Sequence, residues 1–199
     1  MTATAQPSGR RHLSAADTLE TLRNPTIARL VSATLLNSAG NIVYNVGVAW
    51  LAYQLTSSSL VVGSLNGVRT LPVLLLGPFV GLLLDRFHRP TVVKVNAAYT
   101  ALLAVAFLAL VTAGEVQVWH LYAYMLLVGV GFAVGVPARR SVYADTVDRS
   151  LLLNALSLHL LAFEVVRIGA PALAGLTIAT LGIGAAFGGQ AVLYAGALV

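Results

Sequence analysis

Residues 60–111 read LVVGSLNGVRTLPVLLLGPFVGLLL, then DRFHRP, then TVVKVNAAYTALLAVAFLALV. Two apolar runs, 60–84 and 91–111, flank a short link that holds Asp85, Arg86, His88 and Arg89. A helix crosses the hydrocarbon of a bilayer with about 20 mostly apolar residues, so each run is long enough to span. The link is too short for a domain, so the two spans form a hairpin and run in opposite directions. Only one charge, Arg69, interrupts the first run. Two apolar spans with charge concentrated at their joint set the class of the whole chain: all-α, polytopic, embedded in a membrane.

Composition agrees. The chain has 199 residues, of which 58% are hydrophobic and 10% charged, and its mean hydropathy is +0.84. A soluble domain is about 45–50% apolar and about 25% charged. The net charge of +5 does not point to nucleic acid, because the basic residues sit in short clusters between apolar runs rather than on a continuous face. The chain has no cysteine, which excludes a disulfide framework, a cysteine zinc site and thiol chemistry. No phosphate-binding glycine loop, metal-ligand spacing or Ser/His/Asp set is present, so no metal, no cofactor and no enzymatic activity are expected. An intramembrane enzyme built on His159 and Glu164 would lack a second carboxylate or a metal cluster.

Six spans are expected, at about 27–55, 60–84, 92–113, 118–136, 152–181 and 183–199, forming one bundle. The polar segment 1–26 has no apolar core before a cleavage site, so the first span is expected to target the chain. Arg10, Arg11, Arg23 and Arg29 precede or open the first span; Arg86, Arg89 and Lys94 lie at the second-to-third link; Arg139, Arg140 and Arg149 lie at the fourth-to-fifth. The other links carry no Lys or Arg. Positive residues stay on the cytoplasmic side, so the amino terminus and even-numbered links are expected there. The sixth span would then end in the cytoplasm without a basic anchor, as a truncated chain or a half-sized protein would. Gly63/Gly67, Gly77/Gly81, Gly131/Gly135 and Gly184/Gly188 fit the small-xxx-small pattern of close helix contact.

Arg69, Glu164 and Arg167 fall inside spans. Each charge near the bilayer centre costs about 2.5–3.5 kcal/mol on insertion scales and so marks a cavity or a partner. Asn37, Asn41, Tyr44 and Asn45 recur at helical spacing on the first span. Asn154, Ser157, Leu161, Glu164, Arg167, Pro171 and Gly175 do so on the fifth. Such stripes face protein or water rather than lipid. They predict a midplane site lined by both stripes and Arg69, suited to carboxylate or catecholate groups. Glu164 is its candidate proton carrier, since burial raises a carboxylate's pKa while a nearby arginine opposes that shift. Beside this stand plainer readings: a static Glu164–Arg167 pair, asparagines acting as interhelical glue, Arg69 bridging helices, and a solvated cluster of Arg139, Arg140, Asp145, Asp148 and Arg149.

The link Gly81-x-x-x-Asp85-Arg86-x-x-Arg89 resembles the signature between the second and third helices of the major facilitator superfamily. His88 stands where that pattern has glycine and Pro90 where it has a basic residue. WLAYQLTSSSLVVGSLNGVRTLPVLLLGP and VPARRSVYADTVDRSLLLNALSL resemble the bacterial branch that includes enterobactin exporters and macrolide efflux proteins. VVRIGAPALAG is similar to the fifth-helix antiporter signature; Pro171 and Gly175 match, and Ala170 and Ala174 stand where glycine is common. The likeness covers residues from about 25 to 199 and implies the amino-terminal six-helix half of a twelve-helix transporter. It implies a gating role for Gly81, Asp85, Arg86 and Arg89, with Asp85 engaging the other half.

The expected function is a transmembrane transporter, exporting a siderophore- or drug-like molecule in exchange for protons by alternating access. Its partners are the lipid bilayer, the small-molecule substrate and a second six-helix bundle, either a carboxy-terminal half or a dimer mate. The alternative is a truncated or accessory half without transport of its own.

Overall fold

The computed structural model describes residues 25–146 and 149–197, with side chains withheld for part of the helix ends. Among the described residues six helices follow one another: α1 (Pro25–Thr56), α2 (Ser59–Arg86), α3 (Arg89–Thr112), α4 (Val118–Thr146), α5 (Arg149–Leu181) and α6 (Ile183–Gly196). No strand occurs among the described residues. Four of the helices are long and apolar enough to cross a membrane: Ser59–Arg86, Arg89–Thr112, Val118–Val142 and Phe163–Leu181. α1 carries Asn37, Asn41 and Asn45 through its middle. The described part of α6 has 14 residues, about 21 Å at 1.5 Å per residue and short of a bilayer core. The polar segment before residue 25 lies outside the described residues.

Short links make neighbouring helices antiparallel. Ser58 caps α2 by accepting a hydrogen bond from the Val61 amide. Pro90 falls in the first turn of α3, where a missing amide hydrogen costs nothing because that turn has no intrahelical acceptor. Gly182 alone joins α5 to α6, at φ 84° and ψ 170°, a region open essentially to glycine. A Cβ there would meet no atom within 4 Å, so the cost of substitution is purely backbone strain. Gly182→Ala is expected to lose about 1–3 kcal/mol of stability, read as a lowered midpoint in a detergent unfolding titration; an unchanged midpoint would show that the turn relaxes.

The packing has a two-fold repeat. α2 packs along α4 as α5 packs along α1; α1 packs on α6 as α4 packs on α3; and α3 meets α6. Exchanging α1–α3 with α4–α6 maps the set onto itself. Three antiparallel steps separate the equivalent helices, so the repeat has inverted topology. At its centre, Tyr44 and Val48 of α1, Phe107 of α3, Tyr124 and Met125 of α4 and Phe187 of α6 form the core. Phe107 stacks on Tyr124 with centroids 4.0 Å apart and meets Phe187 edge-on at 5.0 Å. Gln190, fully buried, donates from Nε2 to the Tyr124 hydroxyl at 2.7 Å.

α2 and α5 are left uncovered along one side. Leu74, Leu75, Phe79 and Leu82 of α2 are exposed, as are Leu161, Val165, Ile168 and Leu176 of α5. This corrects most of the glycine pairs. Gly63, Gly67, Gly77, Gly81 and Gly188 have nothing within 4 Å of a built Cβ, and Gly184 touches only Thr112 at 3.8 Å. Gly131 and Gly135 do pack closely, on Thr100 and Asn96 of α3. Spacing alone says that one helix face is smooth; it does not say which faces are covered. Trp50, Tyr53 and Trp119 lie exposed beside two of the links that lack Lys and Arg, where aromatic rings favour a membrane–water interface.

Candidate functional site

Arg69 lies ten residues into α2, about 15 Å along a helix of 1.5 Å rise. Its Nη1 donates to the Tyr44 hydroxyl at 2.5 Å and to Asn45 Oδ1 at 3.2 Å. Asn45 Nδ2 in turn donates to the Asn41 carbonyl oxygen at 2.7 Å and contacts Asn41 Oδ1 at 3.3 Å. The polar stripe of α1 and the mid-helix cation of α2 thus form one hydrogen-bonded cluster. Tyr44 is fully buried, while Arg69, Asn41 and Asn45 are half-buried. Asn37 continues the stripe one turn away and is also buried. Arg69 therefore bridges helices through side chains, not through backbone carbonyls.

α4 supplies the other wall. The Arg69 guanidinium carbon sits 5.2 Å from the Phe132 ring centroid and 6.0 Å from that of Tyr44, within range of cation–π attraction. One turn before Phe132, Gly129 meets the Arg69 carbonyl oxygen and the Pro72 ring. Only a residue without a Cβ lets the two backbones come so close. Pro72 has no amide hydrogen, so the carbonyl four residues back, at Val68, is released from the α2 ladder. The helix that carries Arg69 is thus pinned on one side by α4 and tied on the other to α1. Neither Gly129 nor Phe132 was evident from the sequence. Gly129–Ala133 does fit small-xxx-small spacing, but an aromatic set against an arginine depends on interhelical register, which one sequence does not display.

Glu164 and Arg167 form an ion pair within one turn of α5: Nε and Nη2 of Arg167 both lie 2.8 Å from Glu164 Oε2. Their side chains are 50% and 63% exposed, respectively. No bond among the described residues joins this pair to Arg69, so the structure brings together Arg69, Tyr44, Asn45 and Asn41 and leaves the α5 pair apart. Pro171 and Gly175 lie exposed on the same helix, while Ala170 and Ala174 are buried. The missing amide of Pro171 frees the Arg167 carbonyl, again four residues back. The side chains of Asn154, Ser157, His159, Asp145, Asp148 and Arg149 lie outside the described residues.

At the joint of α2 and α3, Gly81, Asp85 and Arg86 are exposed and Arg89 is half-buried. Arg86 closes the last turn of α2, where a cation complements the helix dipole. His88 Nδ1 lies 3.3 Å from Thr91 Oγ1. No group of three or more His, Asp or Glu side chains able to hold a metal occurs among the described residues. A surface groove of about 470 Å³, lined by Val46, Ala49, Trp50, Tyr53, Ser59 and Val62, shares no residue with the Arg69 cluster and offers almost no polar group.

The chain matches the family described as transmembrane secretion effector over residues 16–199. It is 25% identical over 165 residues to the staphyloferrin A transporter of Staphylococcus aureus, covering 82% of this chain and 41% of that protein. It is 27% identical over 159 residues to the uncharacterized MFS-type transporter YfiS of Bacillus subtilis, covering 79% of this chain and 37% of that one. The chain therefore spans about two fifths of the length of these relatives. No solved structure matches it significantly. With four helices fit to cross a membrane, an all-helical bundle and a family match over nearly its whole length, the chain belongs to the transmembrane secretion effectors of the major facilitator superfamily, a family of membrane transporters.

Proposed function

We propose that the chain is the amino-terminal half of a proton-coupled exporter that moves a small organic molecule by alternating access. In this reading α1 and α6 also span, giving six membrane crossings, and the amino terminus faces the cytoplasm of a bacterial cell. The half rocks against a second six-helix bundle, a carboxy-terminal half or a dimer mate, which covers the open sides of α2 and α5. The substrate lodges at mid-membrane against Arg69, Tyr44, Asn45 and Asn41, with Asn37 extending the stripe. Glu164 carries the proton, held in check by Arg167. Asp85, Arg86 and Arg89 beside Gly81 gate the cytoplasmic joint, and Pro171 with Gly175 lets α5 approach the other bundle. The observation that carries this reading is the half-buried Arg69 tied to the α1 stripe. An unpaired cation deep in a span is costly, and function is the usual reason to keep one. The name of the staphylococcal relative supports a siderophore-like substrate.

The test is efflux from inverted vesicles that hold the complete protein, preloaded with siderophore- or drug-like compounds. Wild type is expected to respond to an imposed pH gradient. Glu164→Gln, which keeps the shape and much of the hydrogen bonding to Arg167, is expected to insert normally and lose that response. Gradient-driven efflux at the wild-type rate would remove Glu164 from the mechanism. No gradient-driven movement of any compound in wild type would favour an accessory half without transport of its own.

A further inference from the structure

The guanidinium of Arg69 holds five N–H donors in a rigid planar fork. Both of its bonds to α1 leave from Nη1, which uses the two hydrogens on that nitrogen. Nε and Nη2 make up the other edge, and no hydrogen bond from either to a described residue accompanies those two. That edge is not sealed. Among the described residues, the buried side-chain nitrogen and oxygen atoms without a partner number one, Gln190 Oε1. An unpartnered nitrogen of the half-buried Arg69 must therefore reach a surface. No described carboxylate is paired with it.

The chain itself shows what this edge takes. In Arg167 the same two nitrogens, Nε and Nη2, converge on one oxygen of the Glu164 carboxylate, Oε2, each at 2.8 Å. Arg69 presents the equivalent edge unbonded to any described residue and with its orientation fixed, since Nη1 is spoken for by Tyr44 and Asn45. Preorganised forks of this kind favour planar two-oxygen anions over spherical ones. The Phe132 ring, 5.2 Å from the guanidinium carbon, adds apolar surface next to the fork.

We infer that the Nε/Nη2 edge of Arg69 is a subsite for an organic carboxylate whose adjoining apolar part rests against Phe132. This rests on the reading of the α1–α2 cluster as the substrate site, and it names the group the site reads. Recognition then follows the ionisation of the ligand. A compound whose acid is blocked as an amide keeps its shape and loses the anion, and so loses the subsite.

Benzoate is the smallest probe with both features, and benzamide is its neutral isostere. Membranes containing the complete protein are treated with phenylglyoxal, which modifies guanidinium groups, and the Arg69 peptide is followed by mass spectrometry. The exposed Arg140 in the same sample gives the reference rate. Saturating benzoate is expected to slow modification of Arg69 about tenfold, the effect of about 1.4 kcal/mol of binding, with benzamide and chloride without effect. Slowing by chloride equal to that by benzoate would reduce the site to a plain counterion position and overturn the proposal. So would equal slowing by benzamide, or none by benzoate. The readout does not depend on transport. Protection of Arg69 together with normal efflux by Arg69→Leu would keep the carboxylate subsite and discard the transport reading of the cluster.

Discussion

Arg69→Leu is expected to lower efflux by the complete protein about 100-fold or more while the protein accumulates in the membrane at or above its normal level. Leucine removes the cost of about 2.5–3.5 kcal/mol for a cation in mid-span, so insertion does not suffer. What disappears is the pair of bonds to Tyr44 and Asn45 and the charge offered to substrate. Hydrogen bonds to charged groups contribute about 1.5–3 kcal/mol each, and every 1.4 kcal/mol is about a factor of ten. Losing two such bonds to a substrate therefore accounts for a factor of about 100. Arg69→Lys separates charge from geometry. Lysine keeps the cation but offers a point charge in place of a two-edged fork, so it should fall between leucine and wild type. Initial efflux rates, normalised to protein in the membrane by immunoblot, decide the matter. Normal rates in Arg69→Leu would mean that the residue only ties α2 to α1.

Gly129→Val is expected to leave no folded bundle, and Gly129→Ala to cost about 3 kcal/mol, at the upper end for an overpacked core. A Cβ on Gly129 meets the backbone carbonyl oxygen of Arg69 and lies 3.0 Å from the Pro72 ring. Neither atom belongs to a flexible side chain, so α2 as a whole must shift away from α4. That shift also withdraws Arg69 from Tyr44, so the alanine variant should lose transport along with stability. Gly67→Ala on α2 is the control: nothing lies within 4 Å of its Cβ within this chain, and alanine favours a helix over glycine by about 0.5–1 kcal/mol. Unfolding midpoints of the chain in mixed detergent distinguish the two positions. Equal midpoints for Gly129→Ala and Gly67→Ala would refute the close approach of α2 and α4.

The helical class was legible because spans have a minimum length and polar links interrupt them. DRFHRP could only be a joint between two apolar runs. The sequence joined Arg69 to the polar stripes of α1 and α5 in one site; the structure bonds it to Tyr44 and Asn45 of α1 and leaves the Glu164–Arg167 pair of α5 apart. Other features were not legible. The fourth span was expected over 118–136, and the helix that carries it continues past Pro137 to Thr146. Proline inside a helix removes one hydrogen bond, here the one to the carbonyl of Ala133, and bends the helix without having to end it. Glycine spacing marked smooth stripes on α2 that nothing in the chain covers, and passed over Gly129, where the tightest contact with that helix occurs. The wall made by Phe132 depends on how α2 and α4 slide past one another, which is decided by packing rather than by either sequence alone.

The uncovered sides of α2 and α5 bear on how such a chain is made. Their rows of leucine, isoleucine and valine are as well solvated by acyl chains as by another protein. A ribosome that has finished these six helices can therefore release them into the bilayer with no partner in place, and lipid holds the surface open at little cost. Assembly with the proposed second bundle then becomes an exchange of lipid for protein, reversible until complementary shapes meet. Of the charges that would resist such waiting, Arg69 is already tied to Tyr44 and Asn45 inside the first pair of helices to emerge, and Glu164 and Arg167 pair with each other within one turn of α5.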